Sequence, residues 1–197
     1  GSSRRNTEEG VRWLKEYPKE SRQILDALSD VVVDYLVAQI DAGVDIVQVF
    51  EAMGAFLPQD MFGEWAMPGM ERIVRKLKEQ RPDTSVMVFP RGAGYALQDL
   101  ASVGYDVMTL DCDANRSSTR ALLPSSVFQG NFRPQWLVRE EGGSEGLVEA
   151  ETAKMLQELG PRKLIANLGE GLGGKEDPAL VSAFVDAVHS ISESSPA

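Results

Sequence analysis

Short apolar runs alternate with amphipathic stretches along the chain. Apolar residues at helical spacing predict a long helix that ends near Asp41 and turns one stripe toward a core. This stripe comprises Ile24, Leu25, Leu28, Val31, Val32, Tyr35, Leu36 and Ile40. Gly43 stands where a helix-ending glycine is expected, and residues 45–50 form a run rich in β-branched side chains that predicts a buried parallel strand.

The same pattern recurs toward the C-terminus. Further strands are predicted at residues 85–89, 106–110, 126–129 (the weakest pattern) and 163–167. Further helices are predicted at residues 70–80, 95–102, 148–159 and 178–190. The alternation indicates βαβ units and a parallel sheet, with a flexible loop at residues 142–146 and no internal domain boundary.

Length, net charge and composition argue against several classes of protein. The 197 residues suffice for one domain but fall short of the roughly 250 of a complete (β/α)₈ barrel. The net charge of −10 argues against nucleic acid or an anionic membrane as the main partner, and no apolar run is long enough to predict a membrane span. A single cysteine and a single histidine argue against an internal disulfide and against a multi-cysteine or multi-histidine metal site, so no metal is expected. A reducing compartment is indicated, with cytoplasmic, plastid and other organellar locations left open.

Polar and glycine residues gather where the predicted strands end, which is where a parallel barrel places its working residues. Three carboxylates stand there: Glu51, Asp111 and Glu170 form an acid–base set or, alternatively, cap helix N-termini. Arg91 either binds a substrate carboxylate or pairs with Asp111. Residues 92–94 either cradle an anion or simply form a turn.

The lone cysteine and histidine are assigned no chemical role. Cys112 is interpreted as a packed thiol, because no histidine is placed to activate it. His189 falls on a late helix, away from the strand ends, and is interpreted as structural.

Several segments resemble the uroporphyrinogen decarboxylase family. QGNFRP at residues 129–134 is similar to the family's QGNLDP signature, and ANLGEG at residues 166–171 is similar to its NLGHG segment. Further similar segments are residues 34–43, 62–68, 104–111 and 184–189. The resemblance implies an α/β fold that is the C-terminal part, about five βα units, of a TIM (β/α)₈ barrel. It makes residues 1–197 a partial barrel domain whose N-terminal half is missing.

The family's activity is the cofactor-independent removal of four acetate carboxyl groups from uroporphyrinogen III, giving coproporphyrinogen III in haem biosynthesis. The predicted substrate-binding positions are Ala52, Arg91, Asn131 and Glu170, and the resemblance implies Ala52 and Glu170 among them. It implies no catalytic residue in this chain, because the family's key aspartate and tyrosine belong to the first half of the barrel. Two positions depart from the family: Ala52 replaces a serine and Glu170 replaces a histidine.

Three hypotheses follow. The chain is part of an active decarboxylase, a non-catalytic paralogue that serves as a binding or assembly subunit, or a related methyltransferase. The scarcity of histidine and cysteine disfavours the third, because such enzymes hold zinc through those residues. The expected partners are a tetrapyrrole, the missing half of the barrel or a second copy. Because half a barrel exposes strand edges, the purified chain is expected to self-associate or to need its other half.

Overall fold

The computed structural model describes residues 6–52 and 54–194. By internal contacts the chain divides into two compact units, unit 1 up to Val107 and unit 2 from Met108 onward. The division falls inside the strand Val107–Thr109, so no linker separates the two units.

Unit 1 is built from helices and two parallel strands. Its elements are α1 (Thr7–Glu16), α2 (Pro18–Asp41), β1 (Ile46–Glu51), α3 (Gln59–Trp65), α4 (Met67–Gln80), β2 (Ser85–Pro90) and α5 (Leu97–Ser102). β1 and β2 pair in parallel from Ile46 opposite Ser85 to Glu51 opposite Pro90. Gly43 has a φ of 102° just beyond α2, which confirms its predicted position at the end of that helix.

The predicted apolar stripe of α2 is only partly correct. Val33 and Leu36 are buried together with Ser21 and Ser29, and these four residues form the face that packs inward. Four members of the predicted stripe are instead exposed: Ile24, Leu28, Val31 and Tyr35. Helical periodicity identified a helix with apolar residues on more than one side, and it could not tell which side faces the core of this chain.

Ion pairs join α2 to α4. The Asp30 carboxylate accepts hydrogen bonds from Arg72 Nε at 2.8 Å and from Lys76 Nζ at 2.6 Å. These bonds hold the pKa of Asp30 well below its usual range. Arg81 adds a pair with Asp41 near the ends of the two helices, so α4 is tied to one side of α2 along much of its length.

Unit 2 follows the same alternation. Its elements are β3 (Val107–Thr109), α6 (Arg116–Leu122), β4 (Val127–Phe132), α7 (Glu145–Leu159), β5 (Leu164–Leu168) and α8 (Pro178–Ser194). β4 and β5 pair in parallel, with Asn131 opposite Asn167. The aromatic core of unit 2 centres on Phe132, whose ring contacts Trp136 and Phe184 at centroid distances of 5.1 and 4.6 Å.

β3 is the strand at which the two units meet in sequence. In unit 1, the Asp106 amide just before β3 donates to Val86 O of β2 at 2.9 Å. In unit 2, the Leu110 amide just after β3 donates to Gln129 O of β4 at 2.8 Å. The hydrogen-bonded strand order is β1-β2-β3-β4-β5, as expected when each strand is followed by a crossover helix.

The predicted alternation of strands and helices is confirmed, with changes at several boundaries. β4 is longer than the weak pattern at residues 126–129 suggested, because its second half contains Gly130 and Asn131, which have low strand propensity. The predicted loop at residues 142–146 is wrong at its end, since α7 begins at Glu145 after a Ser144 cap. The helical periodicity did not predict α1, α3 or α6. None of the described helices is long and apolar enough to cross a membrane.

Candidate functional site

In unit 1, the C-terminal ends of β1 and β2 bring two predicted site residues onto neighbouring strands. Glu51 ends β1 and Pro90 ends β2, and the Arg91 amide donates to Glu51 O at 3.0 Å. Ala52 and Arg91 are the next residues along each strand, and both are exposed. The paired strand ends are therefore followed directly by an exposed methyl group and an exposed guanidinium group.

The glycine-rich stretch after β2 is a tight turn that fits against the turn after β1. The Ala93 amide donates to Pro90 O at 2.9 Å, which closes the turn. Gly92 has a φ of 73°, and a Cβ at this position would lie 2.4 Å from Ala55 Cβ. Glycine is thus required here by the close approach of the two turns and by the left-handed backbone.

Tyr95 follows this turn in the chain and was not identified as a candidate site residue from the sequence. Its ring meets Phe62 edge to face at a centroid distance of 5.5 Å. Burial, and to a lesser extent the Glu51 carboxylate, raises the pKa of Tyr95, so the phenol remains a neutral hydrogen-bond donor at physiological pH. Its position just after a glycine-rich strand end is the sequence signal that could have pointed to it.

In unit 2, Asn131 is the centre of a buried hydrogen-bond network. Its side chain is 1% exposed, and its Oδ1 accepts from Arg116 Nε at 2.7 Å. Its Nδ2 donates to Asp111 O at 2.8 Å and to Ala114 O at 3.1 Å. The amide therefore uses both of its donors to fix the turn between β3 and α6, and it holds the guanidinium of Arg116 beneath that turn.

Gly130 brings β4 close to the end of β3. Its φ is 122°, and a Cβ here would lie 2.8 Å from the carbonyl oxygen of Leu110. The peptide bond from Gly130 to Asn131 is cis. Glycine at this position lets the Asn131 side chain reach the turn after β3.

A thiol and a carboxylate meet at the ends of β3 and β5. Cys112 Sγ donates to Glu170 Oε1 across 3.7 Å. Burial, and then the charge of Glu170, raises the pKa of Cys112 to about 11. The thiol is thus neutral at physiological pH, which agrees with its interpretation as a packed, unreactive group.

The remaining charged residues of this strand end form local contacts. Arg133 NH2 pairs with Asp113 Oδ1 at 2.8 Å, and Asp111 Oδ1 accepts from the Asp113 amide at 3.1 Å. The Asn115 side chain, not a carboxylate, caps α6 by accepting from the Ser118 amide at 2.9 Å. The helix-capping alternative for Asp111 is therefore replaced by a turn contact.

The structure places His189 on α8, as the helical pattern predicted, and its side chain is exposed. Within residues 6–52 and 54–194, no group of three or more histidine, cysteine, aspartate or glutamate side chains is arranged to hold a metal ion.

Comparison with known proteins identifies the class of fold first. A solved structure of a B12-independent methionine synthase from Shewanella sp. W3-18-1, in complex with selenomethionine, superposes on this chain with a TM-score of 0.62. The match covers 90% of this chain and 55% of the synthase chain. The two sequences are 14% identical, so this match concerns the fold alone. It confirms the predicted α/β class, with about five βα units of a (β/α)₈ barrel.

The family follows from sequence comparison. The model of the family described as uroporphyrinogen decarboxylase (URO-D) matches residues 1–191, and the chain belongs to this family. It is 35% identical over 179 residues to the uroporphyrinogen decarboxylase of Salinibacter ruber, covering 90% of this chain and 49% of that protein. The human uroporphyrinogen decarboxylase is 35% identical over 184 residues, again covering 90% and 49%. The chain spans about half the length of the curated relatives it matches.

Proposed function

We propose that this chain contributes the second half of a uroporphyrinogen decarboxylase, which converts uroporphyrinogen III to coproporphyrinogen III once further polypeptide completes the barrel. The observation that carries this proposal is the family match over residues 1–191. The placement of Ala52, Arg91 and Glu170 beyond the carboxyl ends of β1, β2 and β5 supports it, because barrel enzymes carry their chemistry at those ends.

The proposed reaction consumes no oxidant or reductant. A pyrrole ring is protonated, the bond from the acetate methylene to its carboxylate breaks, and CO₂ leaves. The electron pair of that bond passes into the protonated ring. A proton added to the former methylene carbon then gives a methyl group, and loss of a ring proton restores the pyrrole. Four such rounds convert four acetates to methyl groups.

This chain's part in the reaction is to bind and orient the substrate. Arg91 is exposed at the end of β2, where its guanidinium can donate two parallel hydrogen bonds to a substrate carboxylate. Asn131 acts indirectly, because its amide already holds the turn at residues 111–114. The aspartate and tyrosine that the family resemblance makes essential belong to the completing polypeptide.

The test is CO₂ release from uroporphyrinogen III under anaerobic conditions, with the chain mixed or co-expressed with a polypeptide that supplies the rest of the barrel. We expect release only from the combination, and an Arg91→Ala variant should raise KM more than it lowers kcat. Glu140→Gln, a change at an exposed residue after β4, is the matched control. Failure of every combination to release CO₂ would reject the proposal.

A second candidate function, a non-catalytic binding or assembly subunit, is favoured by Glu170. Its carboxylate lies at the end of β5 beside Cys112, in a chain with a net charge of −10. A carboxylate at this position repels a substrate with eight carboxylates, whereas a histidine would donate to it. If the completed protein is inert and Glu170→His makes it active, the second function is supported. If Glu170→His leaves an inert protein inert, the loss has another cause.

A further inference from the structure

Arg133 lies directly after β4, where its backbone is held in place and its side chain is 40% exposed. Phe132 before it and Pro134 after it are both buried. The Gly169 amide donates to Phe132 O at 2.9 Å, which ties the end of β4 to the end of β5. β4 has a described strand on each side, β3 and β5, so the exposure of Arg133 does not arise from an unpaired edge of the sheet.

Arg133 carries the one positive charge among the residues that directly follow the three strands of unit 2. These residues are 110–113, 133 and 134, and 169 and 170, all of which the structure describes. Asp111, Asp113 and Glu170 bring three carboxylates to the same strand ends. After burial, the charges of Glu170 and Arg133 are the next causes that act on the pKa of the Cys112 thiol, and they act in opposite directions. Negative charge is therefore concentrated here around a single guanidinium.

Two departures from the family segments change the donors at these strand ends. Arg133 stands in QGNFRP where the similar QGNLDP signature has an aspartate, and Glu170 stands where the similar NLGHG segment has a histidine. A positive charge is gained after β4, and a hydrogen-bond donor is lost after β5. The strand ends of unit 2 thus keep a side chain that can donate to an anion, now at the end of β4.

The partner of Arg133 is a carboxylate that a ligand can displace. Arg133 Nη2 donates to Asp113 Oδ1 at 2.8 Å, but the Asp113 side chain is 88% exposed. Exposed ion pairs contribute little to stability, because water competes for both charges. The planar guanidinium has several donors and matches the geometry of a carboxylate. Asn131 holds the turn at residues 111–114 through Asp111 O and Ala114 O, so Asp113 stays beside Arg133 in the absence of a ligand.

We propose that Arg133 is a second carboxylate-binding residue, in addition to Arg91, and that Asp113 occupies its guanidinium until an acidic ligand displaces it. The inference rests on the proposed function for the class of ligand, a tetrapyrrole with several carboxylates. One carboxylate of the ligand replaces Asp113 on Arg133, and water then solvates the Asp113 carboxylate. Arg133 offsets the repulsion from Glu170, so binding depends on the balance of charges at the strand ends of unit 2.

The test is a fluorescence titration of uroporphyrin I, an oxidised tetrapyrrole with eight carboxylates, with the 197-residue chain and its variants. We expect Arg133→Ala to raise the Kd about tenfold, equivalent to about 1.4 kcal/mol. Arg75→Ala is the matched control, because Arg75 also forms an exposed ion pair at 2.8 Å, with Glu79 on a helix of unit 1. Absence of saturable binding, or equal losses in the two variants, would overturn the proposal.

Removal of the competing carboxylate should have the opposite effect. Asp113→Asn keeps the size of the side chain and removes its charge, so the Kd should fall about threefold. The same change in the Arg133→Ala variant should leave the Kd unchanged, because no guanidinium is released. Damage to the fold does not produce tighter binding, so a fall in Kd separates ligand binding from a structural role. An equal fall in both backgrounds would show that Asp113 does not compete for Arg133 and would overturn the proposal.

This inference and the proposed function fail separately. CO₂ release by the combined protein, with uroporphyrin I binding that Arg133→Ala leaves unaltered, would reject the role of Arg133 and keep the proposed function. The expected changes in Kd in a combined protein that releases no CO₂ would support Arg133 as a carboxylate-binding residue and reject the decarboxylation.

Discussion

The strand ends of the two units are held in place by different means. In unit 2, side chains bind across the strand ends, with Asn131 bridging to Arg116 and to two carbonyls of the following turn and Cys112 donating to Glu170. In unit 1, the turns after β1 and β2 fit together by close backbone approach at Gly92, and the side chains of Ala52 and Arg91 are exposed.

This difference separates residues whose side chains hold a strand end together from residues whose side chains are exposed to solvent. A buried amide whose donors are all used cannot contact a substrate without breaking its own network. An exposed guanidinium at a strand end can contact a substrate directly. The QGNFRP segment of unit 2, which resembles the family signature, thus holds a strand end together, and unit 1 presents the exposed guanidinium of Arg91.

The largest expected effect is on the Asn131 network. Asn131→Ala removes the acceptor of buried Arg116 Nε and the side-chain donor to the carbonyl oxygens of Asp111 and Ala114, so we expect the free energy of unfolding to fall by about 3 kcal/mol. Asn167→Ala, at the exposed residue opposite Asn131 in β5, should cost about 0.5 kcal/mol or less. Denaturant unfolding of the two variants measures both, and similar losses would show that the network does not carry the stability of this strand end.

The turn in unit 1 should be less costly to disturb. Gly92→Ala places a Cβ against Ala55 in a left-handed backbone, and we expect a loss of about 2 kcal/mol. Gly94→Ala is the control, because no atom lies within 4 Å of the added Cβ. If thermal or denaturant unfolding shows the two variants to be equally stable, close approach of the turns does not hold this strand end.

The contact between Cys112 and Glu170 should be visible in thiol reactivity. Glu170→Gln removes a negative charge beside the thiol, so the pKa of Cys112 should fall from about 11 but stay above the ordinary value, since burial is the larger cause. The rate of alkylation by iodoacetamide against pH measures this shift. Glu140→Gln should leave the profile unchanged, and an unchanged profile for Glu170→Gln would contradict the contact.

The smallest expected effect concerns the ion pairs between α2 and α4. Arg72 and Lys76 lower the pKa of Asp30 in the folded state, so their contribution to stability is present above about pH 4, the usual aspartate pKa. It is lost as the pH falls through the lower folded value. Asp30→Asn should therefore be less stable than the unmodified chain at pH 7, and the two should converge in acid. A Glu71→Gln control should show no such convergence, and a constant difference for Asp30→Asn would reject the linkage.

The strand–helix alternation could be predicted because a buried strand needs a run of neighbouring apolar residues and a half-buried helix needs apolar residues at helical spacing. Both patterns lie within a short stretch of sequence. It placed Arg91 and Glu170 at strand ends because a parallel sheet brings those ends to one side. It missed the side of α2 that faces inward, because both sides are apolar. It also missed the internal role of Asn131, because the close approach of Gly130 to the end of β3 is a tertiary contact that leaves no local signal.

The most direct test of the proposed function is the product distribution after uroporphyrinogen III is incubated with a protein in which this chain is joined to a polypeptide that supplies the rest of the barrel. The products are oxidised to porphyrins and separated by the number of carboxylates that remain. We expect intermediates that have lost one to three carboxyl groups, followed by coproporphyrin with four carboxyl groups lost. Recovery of the unchanged eight-carboxylate porphyrin, from a protein shown to be folded, would contradict the assignment of this chain to a working decarboxylase.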